Sequence, residues 1–148
     1  MPEPGGSDVG LKTPGAPMRV LVVEGAEYVG GLLREAGDPS MLQIESARDP
    51  RQALRQLRNE FYHAVVVELP HPSMSAEDLF RSVVAFDVEQ AVRIVFLAND
   101  LSDPGTRRFL TDAGQPFLTR PVDANELQDM VLRVALGARQ DDFELEEE

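Results

Sequence analysis

Apolar residues along the chain fall into two patterns that alternate from start to finish. The first is a short, continuous apolar run, which predicts a strand buried on both faces, as in parallel sheets. Runs of this kind occupy residues 20–23, 64–67, 92–98 and 117–119, and Glu68 ends the second of them. Residues 41–46 alternate between apolar and polar instead, which predicts a half-exposed strand.

The second pattern follows each predicted strand and has the spacing of one helix face. The five apolar stripes are Val29, Leu32, Leu33 and Ala36; Ala53, Leu54 and Leu57; Leu79, Phe80, Val83 and Val84; Phe109, Leu110 and Ala113; and Leu127, Met130, Val131 and Val134. Asp49, Ser75, Asp103 and Asp123 stand where N-caps are expected, and Gly114 stands where a helix should end.

Five β-α units with short connections predict a parallel sheet with helices on both faces. We therefore predict an α/β protein with a flavodoxin-like (βα)5 three-layer sandwich, whose five-stranded parallel sheet has the order 2-1-3-4-5. In 148 residues there is room for one such domain. We place it at residues 18–138, after a Pro- and Gly-rich leader at 1–17 that we expect to be disordered, and before an acidic tail at 139–148.

Charge and composition limit which partners the protein is expected to bind. The net charge is −12, and six acidic residues with no basic one lie in 141–148. An acidic chain argues against nucleic-acid binding, and no apolar stretch approaches a membrane span. Since no secretory signal is visible either, we expect a cytoplasmic protein that binds neither nucleic acid nor membrane. The absence of cysteine excludes disulfides and thiolate metal sites.

Charged residues are predicted to gather at the carboxyl end of the sheet. Glu24 and Glu68 follow strands one and three, which flank the switch point of a 2-1-3-4-5 sheet, and Arg120 follows strand five. An ion pair between Arg120 and Glu68 is the interpretation we favour. The alternative is a divalent cation such as Mg²⁺, but a cation needs several oxygen ligands and only two carboxylates are on offer. We therefore expect no metal and no cofactor.

Other chemistry finds little support in the sequence. The spacing from Gly25 to Gly30 matches a P-loop, but the Lys and the Ser or Thr are missing, and no G-x-G-x-x-G occurs. His63 and His71 lack the spacing of zinc ligands, and we expect each to be a surface or capping residue. No Ser is paired with an evident base. We expect no enzymatic activity.

The chain from about residue 19 to 136 resembles the receiver domains of bacterial two-component response regulators. The matching segments are Glu24-Gly25 for the family's acidic pair, Glu68-Leu69-Pro70-His71-Pro72-Ser73-Met74 for the phospho-accepting Asp and its Leu-x-x-Pro-x-Met, Leu97-Ala98-Asn99 for the switch Thr or Ser, and Thr119-Arg120-Pro121 for Lys-Pro. Phe117 matches the aromatic switch position, although we expect it to be a plain core residue.

The resemblance implies a degenerate phosphorylation site. Glu68 carries its carboxylate one methylene further out than Asp, which is enough to spoil an in-line attack. Gly25 removes a magnesium ligand, Ala98 removes the switch hydroxyl, and Arg120 is not a conservative replacement for Lys. The first acid survives only as Glu24. A pseudo-receiver that takes no phosphate is the expected outcome.

The resemblance also implies a function. We expect a non-catalytic, phosphorylation-independent signalling module, held in one switch state by Glu68 and Arg120. It would contact a protein partner or itself through the fourth predicted helix, the fifth strand and the fifth helix. Two alternatives stay open: a receiver that accepts phosphate from a histidine kinase, and a module that binds a small molecule where Gly25 and Ala98 leave room.

Overall fold

A computed structural model of the protein describes residues 17–25, 29–38, 40–69, 74–98 and 103–137. The predicted leader up to residue 16, the predicted acidic tail and His71 lie outside the described residues. The strands are β1 (Met18–Val23), β2 (Leu42–Ala47), β3 (Ala64–Leu69), β4 (Ile94–Ala98) and β5 (Phe117–Thr119). The helices are α1 (Val29–Ala36), α2 (Pro50–Asn59), α3 (Ala76–Phe86), α4 (Val88–Ala91), α5 (Pro104–Ala113) and α6 (Ala124–Ala135).

The five strands form one sheet of order β2-β1-β3-β4-β5, and all four neighbouring pairs are parallel. The predicted fold class is therefore confirmed. Val23 pairs with Val67, Val67 with Phe96, and Phe96 with Phe117. This register brings the carboxyl ends of β1, β3, β4 and β5 to the same edge of the sheet.

Two apolar layers cover the two faces of the sheet. Successive side chains of a strand point to opposite faces, so Val20 and Val22 pack with α1 and α6, while Leu21 and Val23 pack with α2, α3 and α5. Every residue of β3 is buried. This double coverage explains why the central strands are continuous apolar runs.

The predicted N-caps are all present. The side chains of Asp49, Ser75, Asp103 and Asp123 each accept a hydrogen bond from the backbone N–H three residues later, at 2.8–3.1 Å. Gly114 ends α5 in the left-handed region, with φ of 68°. Among the described residues, no helix is long and apolar enough to cross a membrane.

The structure differs from the sequence-based prediction around α4. This four-residue helix was not predicted, so the fourth and fifth predicted helices are α5 and α6. Val92 and Arg93 form the turn after α4, and β4 begins only at Ile94. Val84, predicted to be part of the apolar stripe of α3, is 39% exposed.

His63 also differs from the prediction of a surface or capping residue, because it is only 9% exposed. Its Nδ1 atom accepts a hydrogen bond of 2.8 Å from the backbone N–H of Arg19. It lies directly before β3, so the packing of that strand covers it.

Candidate functional site

Glu68 is the central residue of the carboxyl edge of the sheet. Along β3 it points to the same face of the sheet as Ala64 and Val66, which belong to the layer formed with α1 and α6. It is only 2% exposed. Its Oε1 atom forms an ion pair with Nη2 of Arg120. Its Oε2 atom accepts a hydrogen bond of 3.0 Å from the backbone N–H of Gly25. Both oxygens of this carboxylate therefore have partners supplied by the chain itself.

Gly25 fits against the Glu68 side chain with no space to spare. A Cβ atom built on Gly25 would lie 2.6 Å from Oε1, 2.8 Å from Cδ and 3.0 Å from Cβ of Glu68. Distances below 3.0 Å are essentially never seen for Cβ atoms, so a side chain at position 25 requires Glu68 to move. Gly25 has no side chain, and the side chain of Glu68 occupies the space where one would lie.

Arg120 reaches Glu68 from the end of β5. Its backbone N–H donates a 2.9 Å hydrogen bond to the carbonyl of Ala98, which continues the parallel pairing of β5 with β4. The peptide bond between Arg120 and Pro121 is cis. The two side chains of the ion pair are 11% exposed for Arg120 and 3% exposed for Glu68. The ion pair predicted between these residues is thus present, and it is almost fully shielded from water.

Glu24 points away from this pair. Its Oε2 atom accepts a 2.9 Å hydrogen bond from Oγ of Ser46, at the end of β2. A Cβ atom built on Gly30 would lie 2.7 Å from the same Oε2 atom, so the carboxylate lies directly against α1. Among the described residues, none donates a hydrogen bond to its buried Oε1 atom. The two carboxylates predicted to flank one crevice therefore point in different directions.

The arrangement does not fit Mg²⁺, which prefers octahedral coordination by oxygen atoms. Glu68 is bound by a guanidinium and a backbone N–H, Gly25 offers no side-chain oxygen, and Glu24 is turned toward Ser46. A cation next to Glu68 would have to compete with the positive charge of Arg120 for the same oxygen. Within the described ranges, no three His, Asp or Glu side chains gather closely enough to hold a metal ion.

Ala98 and Phe117, the predicted switch positions, lie on the other face of the sheet from Val66 and Leu97. Ala98 is fully buried in the layer formed with α2, α3 and α5. Phe117 is partly buried and packs against the same layer, as predicted for a core residue. Three further rings in this layer meet edge to face, with centroids 5.3–6.2 Å apart: Phe80, Phe96 and Phe109.

A cavity of about 360 Å³ lies at a different place, between α1 and the edge strand β2. Leu33, Leu42 and Ile44 provide its apolar lining, with Arg34 and Gln43 at its polar side. None of the predicted site residues lines it. Neither this cavity nor Ser46 was predicted from the sequence. Ser46 could have been found from the sheet order, since β2 lies next to β1 and Ser46 stands near its carboxyl end.

No family model matches the chain. The chain is similar to the sensory/regulatory protein RpfC of Xanthomonas campestris, with 25% identity over 125 residues, which are 83% of this chain but only 17% of RpfC. The chain therefore corresponds to a small part of that longer relative.

Two solved receiver-domain structures superpose on this chain. The receiver domain of a Francisella response regulator superposes with a TM-score of 0.68 at 17% identity, covering 80% of this chain and 97% of that domain. The receiver domain of the Pseudomonas aeruginosa sensor histidine kinase PA1611, solved with magnesium in its active-site cleft, gives a TM-score of 0.68 at 22% identity, covering 82% of this chain and all of that domain (100%). This chain has the receiver-domain fold. The magnesium belongs to the Pseudomonas domain.

Proposed function

We propose that the protein is a signalling module with a receiver fold that acts through protein contacts and does not use phosphorylation. In this proposal Glu68 and Arg120 hold the module in a single switch state. The observation that carries the proposal is the occupation of both Glu68 oxygens by the chain's own donors, Nη2 of Arg120 and the N–H of Gly25. No reaction is assigned to the site.

The geometry argues against phosphoryl transfer to Glu68 for two physical reasons. A nucleophilic carboxylate must present a free oxygen in line with the donor, whereas one Glu68 oxygen is held by Arg120 and the other by Gly25. Phosphoryl transfer also needs positive charge and hydrogen-bond donors placed around the transferred group. Here the nearest cation already neutralises the would-be acceptor, and Ala98 has no hydroxyl to offer.

The same ion pair supports the idea of a fixed switch state. The Glu68 side chain is one methylene longer than that of Asp, so its negative charge lies further from the backbone of β3 and reaches Arg120. Arg120 in turn joins the end of β5 to the loop that enters α6. We propose that the surface of α5, β5 and α6 contacts a protein partner or a second copy, and that the Glu68–Arg120 pair fixes the conformation of that surface.

Intact-mass spectrometry after incubation with a small phosphodonor and Mg²⁺ tests the proposal. We expect no mass increase for this protein, while a receiver domain with an Asp acceptor, treated in parallel, gains one phosphoryl group. A matched control in the same fold is the fourfold variant Gly25→Asp, Glu68→Asp, Ala98→Thr and Arg120→Lys, which restores the family pattern at these positions. An acyl phosphate on the unmodified protein would overturn the proposal.

Phosphate acceptance from a histidine kinase is the competing function, and the fold shared with the receiver domain of the sensor histidine kinase PA1611 supports it. The mass experiment separates the two functions when it is repeated with a phosphorylated kinase as donor. Transfer that disappears in Glu68→Gln would establish Glu68 as the acceptor. Transfer that survives in Glu68→Gln would place the acceptor elsewhere in the chain.

Binding of a small molecule beside Gly25 has less support. The space expected there is taken by Glu68, whose Cδ would lie 2.8 Å from a Cβ on Gly25. The cavity between α1 and β2 is formed by other residues.

A further inference from the structure

Helix α2 carries three positive charges in an acidic protein. Helix α2 contains Arg51, Arg55 and Arg58 and no acidic residue, whereas the whole chain has a net charge of −12. At 3.6 residues per turn, positions 51, 55 and 58 fall within one narrow stripe of the helix surface. All three side chains are exposed. We call this stripe the arginine face.

Within the part of the chain that the structure describes, these three arginines form no ion pairs. The ion pairs in that part involve Arg19, Arg81, Arg93 and Arg120. Arg58 stacks on the ring of Phe86, with Cζ 5.2 Å from the ring centroid. Phe86 is itself 37% exposed, and the nearby Val84 and Val88 are 39% and 62% exposed. The arginine face is therefore bordered by an apolar patch.

We propose that the acidic C-terminal segment of the same chain, residues 141–148, binds the arginine face of α2. The segment reads Asp-Asp-Phe-Glu-Leu-Glu-Glu-Glu, so it offers six carboxylates together with one aromatic and one aliphatic side chain. The carboxylates of this segment can pair with the guanidinium groups of the arginine face, and its two apolar side chains can pack on the exposed apolar patch. The contact would neutralise the arginine face and cover the apolar patch beside it.

The position of Gly137 supports an intramolecular contact. A Cβ on Gly137 would lie 4.0 Å from Nη2 of Arg93. The guanidinium of Arg93 lies 5.2 Å from the ring centroid of Phe61, and Phe61 follows Glu60, the C-cap of α2. Gly137, four residues before the acidic segment begins, therefore lies close to the C-terminal end of α2.

The length of the segment is sufficient to reach the whole arginine face. An extended chain spans at most about 3.3–3.6 Å per residue, so the eleven residues 138–148 reach at most about 36–40 Å. The ten residues of α2 rise only about 15 Å. Each exposed ion pair contributes at most about 1 kcal/mol, but a tethered segment has an effective concentration in the millimolar range, so several weak contacts suffice.

A spin-label experiment on the full chain tests this proposal. Because the chain has no cysteine, Glu148→Cys carries a single nitroxide at the end of the segment. In ¹H–¹⁵N spectra we expect loss of the α2 amide signals around Arg55, and recovery of these signals in about 1 M salt, where the Debye length falls to about 3 Å. Arg55→Glu in the labelled chain should also restore them.

The matched control is Arg108→Glu, which makes the same charge change at an exposed position of α5 and should leave the α2 signals broadened. Arg55→Gln provides a milder variant if Arg55→Glu perturbs the fold. Absence of broadening in α2, or broadening that persists in Arg55→Glu and Arg55→Gln, would overturn the proposal. Broadening that appears only when labelled chains are mixed with isotope-labelled wild type would also overturn it, since the contact would then join two copies.

Discussion

Gly25 and Glu68 occupy complementary space at the carboxyl edge of the sheet: the backbone N–H of Gly25 donates to Oε2 of Glu68, and a Cβ on Gly25 would lie 2.6 Å from Oε1. The two departures from the receiver pattern at these positions are therefore physically linked. A long acidic side chain at 68 leaves room only for glycine at 25. A side chain introduced at position 25 alone therefore requires Glu68 to move.

Gly25→Ala should destabilise the protein by about 1–3 kcal/mol, the usual cost of overpacking. The cost should shrink in a Glu68→Asp background, because the shorter side chain withdraws Cδ from the new methyl group. Urea unfolding of the four proteins in this cycle measures the coupling. Gly105→Ala in α5 is the control, since its Cβ would meet only the Asp103 carboxylate at 3.3 Å. Equal costs of Gly25→Ala in both backgrounds would refute the steric link.

Arg120→Gln should destabilise the fold by about 3–5 kcal/mol, because it leaves the buried Glu68 carboxylate without its cation. The double variant Glu68→Gln with Arg120→Gln should recover a large part of that loss, since no buried charge is then left unpaired. Chemical denaturation gives both values. The exposed Arg81–Glu77 pair, whose side chains are 73% and 44% exposed, is the matched control, and Arg81→Gln should cost at most about 1 kcal/mol. A comparable cost at both positions would contradict the assigned role of burial.

The sequence was informative wherever one pattern dictates one structure. The β-branched runs predicted β1, β3 and β4 because only strands covered on both faces tolerate them. The ion pair of Glu68 with Arg120 could be predicted because the strand order alone brings the ends of β3 and β5 to one edge. The N-caps Asp49, Ser75 and Asp123 were likewise predictable, because capping depends on local geometry.

The rest depended on packing that a sequence pattern does not encode. The direction of Glu24 follows from its hydrogen bond to Ser46 on the neighbouring strand, and the closeness of Gly25 to Glu68 is a contact across 43 positions. The four-residue α4 is too short for a periodic signal. The burial of His63 arises from its place just before the central strand β3, where neighbouring elements cover it.

Gln90→Leu should cost about 2–5 kcal/mol. Gln90 lies in α4 and is fully buried; its Oε1 accepts from the backbone N–H of Tyr62 at 2.9 Å, and its Nε2 donates to the Tyr62 carbonyl at 3.0 Å. Leucine leaves both backbone groups buried and unpaired, at about 1–3 kcal/mol each. Thermal or urea unfolding measures the loss. Gln43→Leu, at an exposed position of β2, should change stability by no more than about 0.5 kcal/mol. A similarly small change at position 90 would show that water replaces the amide.

Acidification should destabilise the protein through His63. Burial is the main cause that lowers the pKa of His63 below its ordinary value of 6.5, and the nearby Arg93 and Arg19 guanidinium groups lower it further. A base with a lowered pKa in the folded state favours the neutral form, so its contribution is fully present above about pH 6.5 and is lost as the pH falls through the folded-state pKa. Protonation at Nδ1 would also remove the acceptor used by Arg19 N–H.

The urea concentration at the midpoint of unfolding should therefore decrease as the pH is lowered from about 7.5 to about 5. His63→Asn supplies an uncharged acceptor at the position of Nδ1 and should flatten the pH dependence in this window. The carboxyls of Asp38 and Asp49 do not interfere, because hydrogen bonds to the backbone lower their pKa from an ordinary value of 3.8. An unchanged slope in His63→Asn would assign the acid sensitivity to other groups and remove His63 from the account of stability.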